Sequence, residues 1–283
     1  MSFADFIRER RYLQNVSPRT LEWYAYSFRW LPDESPTQVQ LKEAVIKMRE
    51  AGLSAAGCNC AIRAINSYLH WTHAGSAVKC SPACPHPKLP RLKEPDFVPS
   101  TYTDKQVKLL IGWSPKRRSW RRLRALVLTL LDTGCRISEA LGMRVRDVDL
   151  DNLLVTIVNG KGGKQRIIPF SVELRKELFR HIVSGKLKAE DRLFATRDGN
   201  PMDAHVVSRS VKLLCLRLGF KAPARTLHSF RHTFATNYLR RGGSVFHLQK
   251  ALGHSTLEMT KRYASLTTAD LQAVHERVSL LTK

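Results

Sequence analysis

Leu227-His-Ser-Phe-Arg-His-Thr-Phe-Ala-Thr236 is the stretch from which the rest of this 283-residue chain can be read. It lies in a run, Thr226 to Arg241, that predicts one helix closed by Gly242-Gly243 as a C-cap. His228 and Arg231 are three apart, so both side chains project from one face of that helix. Such pairs occur by chance on many helices. What gives this one weight is the sequence on either side of it.

Downstream, Ser244 opens a short helix that ends at Gly253, where glycine lets the backbone turn ahead of His254. Ser255-Thr-Leu-Glu258 is a capping box for the next helix, which carries Tyr263. On one continuous helix a spacing of nine would put His254 and Tyr263 on opposite faces. The break at Gly253 and the new cap remove that objection. Upstream, Leu123 to Asp132 predicts an apolar helix stopped by Gly134, and Arg136 starts the next, where backbone N–H groups favour a phosphate. Leu153 to Val158 and Gln165 to Pro169 are β-rich runs joined by Asn159-Gly-Lys-Gly-Gly-Lys164, a hairpin signal. Lys161 and Lys164 sit in its turn and Arg166 on its return strand. Further helices are predicted from Thr103-Asp104, Val172 and Asp203. Taken singly, Arg136 reads equally as a surface arginine, Lys161 as a solvated loop residue and His254 as a structural histidine.

The first part of the chain, to about residue 80, reads as helices. Ser17-Pro18 starts one, with proline at the first turn where its missing N–H costs nothing, and Leu21, Tyr24, Phe28 and Leu31 follow at helical spacing. Gly52-Leu53-Ser54 caps another that carries Ile62, Ile65, Leu69 and Trp71. Pro82, Pro85, Pro87, Pro90, Pro95 and Pro99 then mark an extended, semi-rigid linker. The boundaries expected are a helical domain at 1–85, a linker at 86–100 and a second domain at 101–283, mostly α with a small β-hairpin or sheet. Cys80, Cys84 and His86 fall in the proline-rich stretch with no second ligand pair, so a linker is preferred to a zinc site.

Lys and Arg number 47 against 24 Asp and Glu, a formal net charge of +23. A polyanionic partner is the economical explanation of that excess. There is no amphipathic basic helix, lipid motif, signal peptide or bilayer-length apolar run, so membrane attachment is not expected and the cytoplasm is. Six cysteines in a reducing compartment are expected to be free thiols.

In chain order the candidates are Arg136, Lys161, His228-x-x-Arg231, Leu-Gly-His254 and Tyr263. With Thr-Gly-Cys-Arg-Ile-Ser-Glu-Ala-Leu (133–141), Gly-Lys-Gly-Gly-Lys (160–164) and Thr-Lys-Arg-Tyr (260–263), this order resembles the tyrosine recombinase (phage integrase) family over the whole chain. Phe230, where an aliphatic residue is usual, and Cys135 before the first arginine are the departures. The resemblance implies a SAM-like helical core-binding domain followed by a catalytic domain. It also implies strand cleavage through a 3′-phosphotyrosyl bond without metal or nucleotide cofactor, and a homotetramer on paired double-stranded DNA sites, coupled by exchange of a last helix at about 268–281.

The chemistry fits. Two arginine forks can clamp the non-bridging oxygens of a phosphodiester, doing electrostatically what a metal does elsewhere. Tyr263 is then the nucleophile, with His228 to take or steer its proton. Lys161 would protonate the leaving 5′-oxygen, and His254 would hydrogen-bond the phosphate. Lys164, Arg166, Arg117, Arg118, Arg121 and Arg122 are further candidates for DNA contact, the last four reading equally as a solvated face. Competing readings are a type IB topoisomerase, a non-catalytic architectural protein and, among recombinases, a Xer-type chromosome-dimer resolvase rather than a mobile-element integrase.

Overall fold

The computed structural model describes residues 2–74, 87–95, 99–158, 165–254, 256–257, 260 and 263. Cys80, Cys84 and His86, the hairpin turn with Lys161 and Lys164, the capping-box residues Ser255 and Glu258, and the expected last helix lie outside the described residues. The chain forms two compact units, Met1–Phe97 and Val98–Lys283.

The first unit has four helices, α1 (Phe3–Tyr12), α2 (Pro18–Phe28), α3 (Gln38–Glu50) and α4 (Ala55–Ala74). Ser2, Ser17 and Thr37 accept a backbone N–H at the starts of α1, α2 and α3, which satisfies donors the helix itself leaves unpaired. The apolar spacing read from α2 and α4 becomes an aromatic core. Phe6 contacts Tyr24, Phe28, Tyr68 and Trp71 at centroid distances of 5.0–5.7 Å.

Residues 87–95, expected to be linker, instead lie along α4. Asn59 donates to Leu92 O (2.9 Å) and accepts from Leu92 N (2.8 Å). Asn66 does the same with Leu89, at 2.8 and 2.9 Å. Seven helical residues rise about 10.5 Å and three extended residues span about 10 Å, so the two amides meet the strand in register. Leu89 is buried in the same core. Proline spacing signalled the extended backbone but carried no information about what it packs on.

The second unit contains α5 (Asp104–Gly112), α6 (Arg118–Thr133), α7 (Ile137–Gly142), a 3-10 turn (Val145–Asp147), strands β1 (Val148–Asp149), β2 (Leu154–Ile157) and β3 (Arg166–Pro169), and helices α8 (Val172–Gly185), α9 (Ala204–Arg217), α10 (Thr226–Arg240) and α11 (Val245–Leu252). The sheet is antiparallel in the order β1-β2-β3, with Val155 opposite Ile168. Val155, Ile157 and Ile168 face the core. The expected hairpin is thus present, and the two-residue β1 is an addition too short to leave a pattern.

Helix α6 is the centre of this unit, with α8, α9 and α10 packed on it. Its buried hydroxyls are satisfied along the helix: Thr129 donates to Ala125 O at 2.8 Å and Thr133 to Thr129 O at 2.7 Å. On α10, Phe230 is fully buried and stacks on Tyr102 with centroids 4.6 Å apart, which accounts for the aromatic residue at that position. Among the described residues, no helix is long and apolar enough to cross a membrane.

Candidate active site

Two left-handed helix ends and one face of α10 build the site. Helix α6 ends at Gly134, which adopts the left-handed conformation (φ 60°) and delivers Arg136 as N-cap of α7. A Cβ at Gly134 would lie 2.3 Å from the Phe234 ring, so both the backbone angle and the close approach of α10 require glycine. Helix α11 ends at Gly253, also left-handed (φ 63°), which turns the chain into His254. Between these ends lies the face of α10 bearing Arg231 and His232.

Arg231 ties the three together. Its guanidinium donates to Gly134 O at 3.0 Å and to Leu252 O at 2.6 Å, the carbonyl ends of α6 and α11. Helix C-termini carry partial negative charge and unpaired carbonyls, so a cation is favoured there. The residue is 7% exposed. Burial, then the nearby charge of Arg136, lower its pKa to about 10, which still leaves it cationic at neutral pH.

Arg136 is held by Glu139, a residue the sequence reading passed over. The Glu139 carboxylate accepts from Arg136 N (2.7 Å) and an Arg136 guanidinium nitrogen (2.9 Å), and from two guanidinium nitrogens of Arg166 (3.0 and 2.7 Å). Burial alone would push this carboxyl up. The hydrogen bonds from Arg166 and Arg136 outweigh it and hold the pKa at about 2. The backbone amide of Arg136, expected to be available to a phosphate, is therefore engaged. Nothing in the sequence signalled this pairing, because only the fold brings Arg166 to Glu139.

Arg166 departs from expectation. Rather than facing outward as a DNA contact, it is paired with Glu139 and donates to Ala251 O at 2.9 Å, its side chain 11% exposed. The run at the start of α6 also stands apart from the site. Sixteen helical residues rise about 24 Å, which sets Arg117, Arg118, Arg121 and Arg122 at the end of α6 remote from Gly134. Arg122 is half-buried and donates to Ala195 O, Arg118 donates to Gly185 O, and Arg121 to Lys116 O. Arg117, Arg118 and Arg121 are exposed.

Tyr263 is 3% exposed, packed with Ala235, Leu248 and Leu252. Its hydroxyl lies 2.7 Å from Nδ1 of His232. His228, expected to meet the phenol, is exposed, and the histidine one turn further on lies within hydrogen-bond distance of the Tyr263 hydroxyl. Partial burial and the charges of Arg225, Arg231 and Arg136 lower the His228 pKa. The His254 ring lies parallel to that of Tyr263, 6.4 Å away, and its Nδ1 is 2.9 Å from Thr260 Oγ1. His232 was legible in the quoted stretch as the residue after Arg231; nothing local distinguished it from His228.

The phage integrase family pattern matches residues 101–270. The chain is 30% identical to tyrosine recombinase XerA of Thermococcus kodakarensis over 277 residues, 96% of this chain and 93% of the relative. It is 29% identical to tyrosine recombinase XerC of Xanthomonas campestris pv. campestris over 281 residues, 96% of this chain and 86% of the relative. Among solved structures it superposes on the integrase of transposon Tn1549, in complex with transposon right end DNA, with a TM-score of 0.78 at 22% identity. That superposition covers 99% of this chain and all of the other.

Proposed function

The chain belongs to the phage integrase family of tyrosine recombinases, and on that premise we propose that it recombines specific double-stranded DNA sites through a covalent bond between Tyr263 and a 3′-phosphate. The observation that carries this reading is that His232, His254 and Arg231 all bear on Tyr263, by a hydrogen bond, a parallel ring and charge respectively, with Arg136 near enough to act on the Arg231 charge. A phenol is a weak nucleophile at neutral pH and needs both a proton acceptor and positive charge at the phosphate. Arg136 and Arg231 supply that charge, His254 a hydrogen bond to the phosphate, and Lys161 the proton for the departing 5′-oxygen. The phosphotyrosyl bond conserves the phosphodiester energy, so rejoining needs no nucleotide.

The working assembly is a tetramer on two paired sites, with the segment at about 268–281 docked on a neighbouring protomer. Xer-type relatives that run almost the full length of the chain favour resolution of chromosomal dimers over mobile-element integration. Recombination between two sites in direct repeat, with no further element-encoded protein, tests that choice.

The central test is Tyr263→Phe on a nicked suicide substrate. The wild type should give a denaturation-resistant protein–DNA adduct. The variant should give none while binding DNA nearly as well, because the phosphate contacts that supply affinity are unchanged. An adduct in the variant would remove Tyr263 from the reaction.

A further inference from the structure

We propose that His232, rather than His228, holds the Tyr263 hydroxyl and takes its proton as the phenol attacks phosphorus. The inference rests on the recombinase reading above and assigns a further catalytic residue to it. Three observations carry it. First, the 2.7 Å contact joins His232 Nδ1 to the nucleophilic oxygen itself. Second, His232 stands on the same helix face as His228, about 40° round the axis, and directly follows Arg231. The group touching the phenol is therefore anchored to the arginine that binds the two helix ends. Third, Tyr263 is shielded from solvent, so bulk water is a poor acceptor for its proton, and an imidazole within hydrogen-bond distance is the local alternative.

With His232 protonated at Nε2, the phenol donates to Nδ1. As the Tyr263 oxygen bonds to phosphorus, the O–H bond breaks and Nδ1 keeps the proton, giving an imidazolium. The bond from phosphorus to the 5′-oxygen breaks, and that oxygen takes a separate proton from Lys161. In the reverse step the imidazolium returns its proton to the departing phenolate, so His232 ends as it began. Among the described residues, Arg231 on α10 acts on Tyr263 electrostatically and the His254 ring after α11 lies parallel to it.

His232→Gln and His232→Ala separate holding from proton transfer. Glutamine can accept the phenol hydrogen bond but cannot keep a proton. Single-turnover cleavage of the suicide substrate by the full chain should fall about 10²-fold or more in the Ala variant and by a smaller factor in Gln. Both should lose the rise in rate that the wild type shows as pH increases through the histidine range. On a substrate with a 5′-bridging sulfur, which leaves without a proton, the His232 defects should persist while a Lys161→Ala defect is relieved. A Gln variant with the wild-type rate and pH profile overturns the proposal, as does relief of the His232 defect by the sulfur substrate. DNA binding and thermal unfolding report whether the variants fold. If neither does, a wild-type rate flat between about pH 5 and 8 overturns the proposal and a rise there supports it. Loss of the adduct in Tyr263→Phe, read alongside, shows whether His232 alone or the whole reading has failed.

Discussion

At the residue scale, the site is a set of charges that would repel one another without Glu139. That carboxylate is 3% exposed and sits between Arg136 and Arg166, both of which lie close enough to Arg231 to lower its pKa. Glu139→Gln should destabilise the second unit by about 3–5 kcal/mol, the scale for breaking a buried ion pair from one side, measured by thermal or denaturant unfolding. The pH dependence has a definite sign. The folded carboxyl is depressed to about 2 from 4.5, so its contribution is complete above about pH 4.5 and is lost as pH falls toward 2. The wild type should lose stability across that window more steeply than the Gln variant, and parallel curves would contradict the assignment. Arg231→Lys tests the guanidinium in the same spirit. Lysine keeps the charge but cannot serve two carbonyls and a phosphate with a planar fork, so cleavage should fall about 10²-fold or more. A near-normal rate would place Arg231 outside the chemistry.

At the element scale, helix ends rather than helix bodies make the site. Glycine at position 134 lets α6 stop, frees its last carbonyls for Arg231 and brings Phe234 of α10 into contact. Gly134→Ala should cost at least about 1–2 kcal/mol from the left-handed backbone alone, with the displaced Phe234 ring adding to it. Since that ring adjoins the Tyr263 cluster, cleavage should fall further than stability predicts. Unchanged melting and cleavage would refute this account. These ends were legible in the sequence: Gly134, Gly253, Thr103 and Asp203 all mark helix termini at the expected residues. The strap of residues 87–95 on Asn59 and Asn66 was not, because an amide that clamps a distant strand looks in sequence like any polar residue on a helix.

At the scale of the whole molecule, the net charge of +23 falls mostly on the second unit, 34 Lys and Arg against 15 Asp and Glu over residues 98–283, which suits a protein whose affinity comes from many phosphate contacts. Assembly is a separate matter from that affinity. Leu271, Val274, Val278 and Leu281 recur at helical spacing beyond the nucleophile. Truncation after Ser265 should leave a folded monomer that binds a single DNA site with salt-sensitive affinity but no longer forms two-site complexes or recombines. Gel-shift and light-scattering measurements on paired sites check this. A truncated protein that unfolds, or still pairs sites, would mean that the segment completes its own unit instead.

The sequence by itself determined the helical character, the hairpin strands and the helix ends, because these depend on local spacing and backbone permission. Tertiary structure alone decided which histidine meets Tyr263 and which arginine faces inward. His228 and His232 share a face by helical periodicity, and only the contact with Tyr263 separates them. Arg166 alternates correctly on its strand, yet it faces a buried carboxylate supplied from 27 residues away. Those assignments depend on long-range contacts, about which neither periodicity nor residue type carries information.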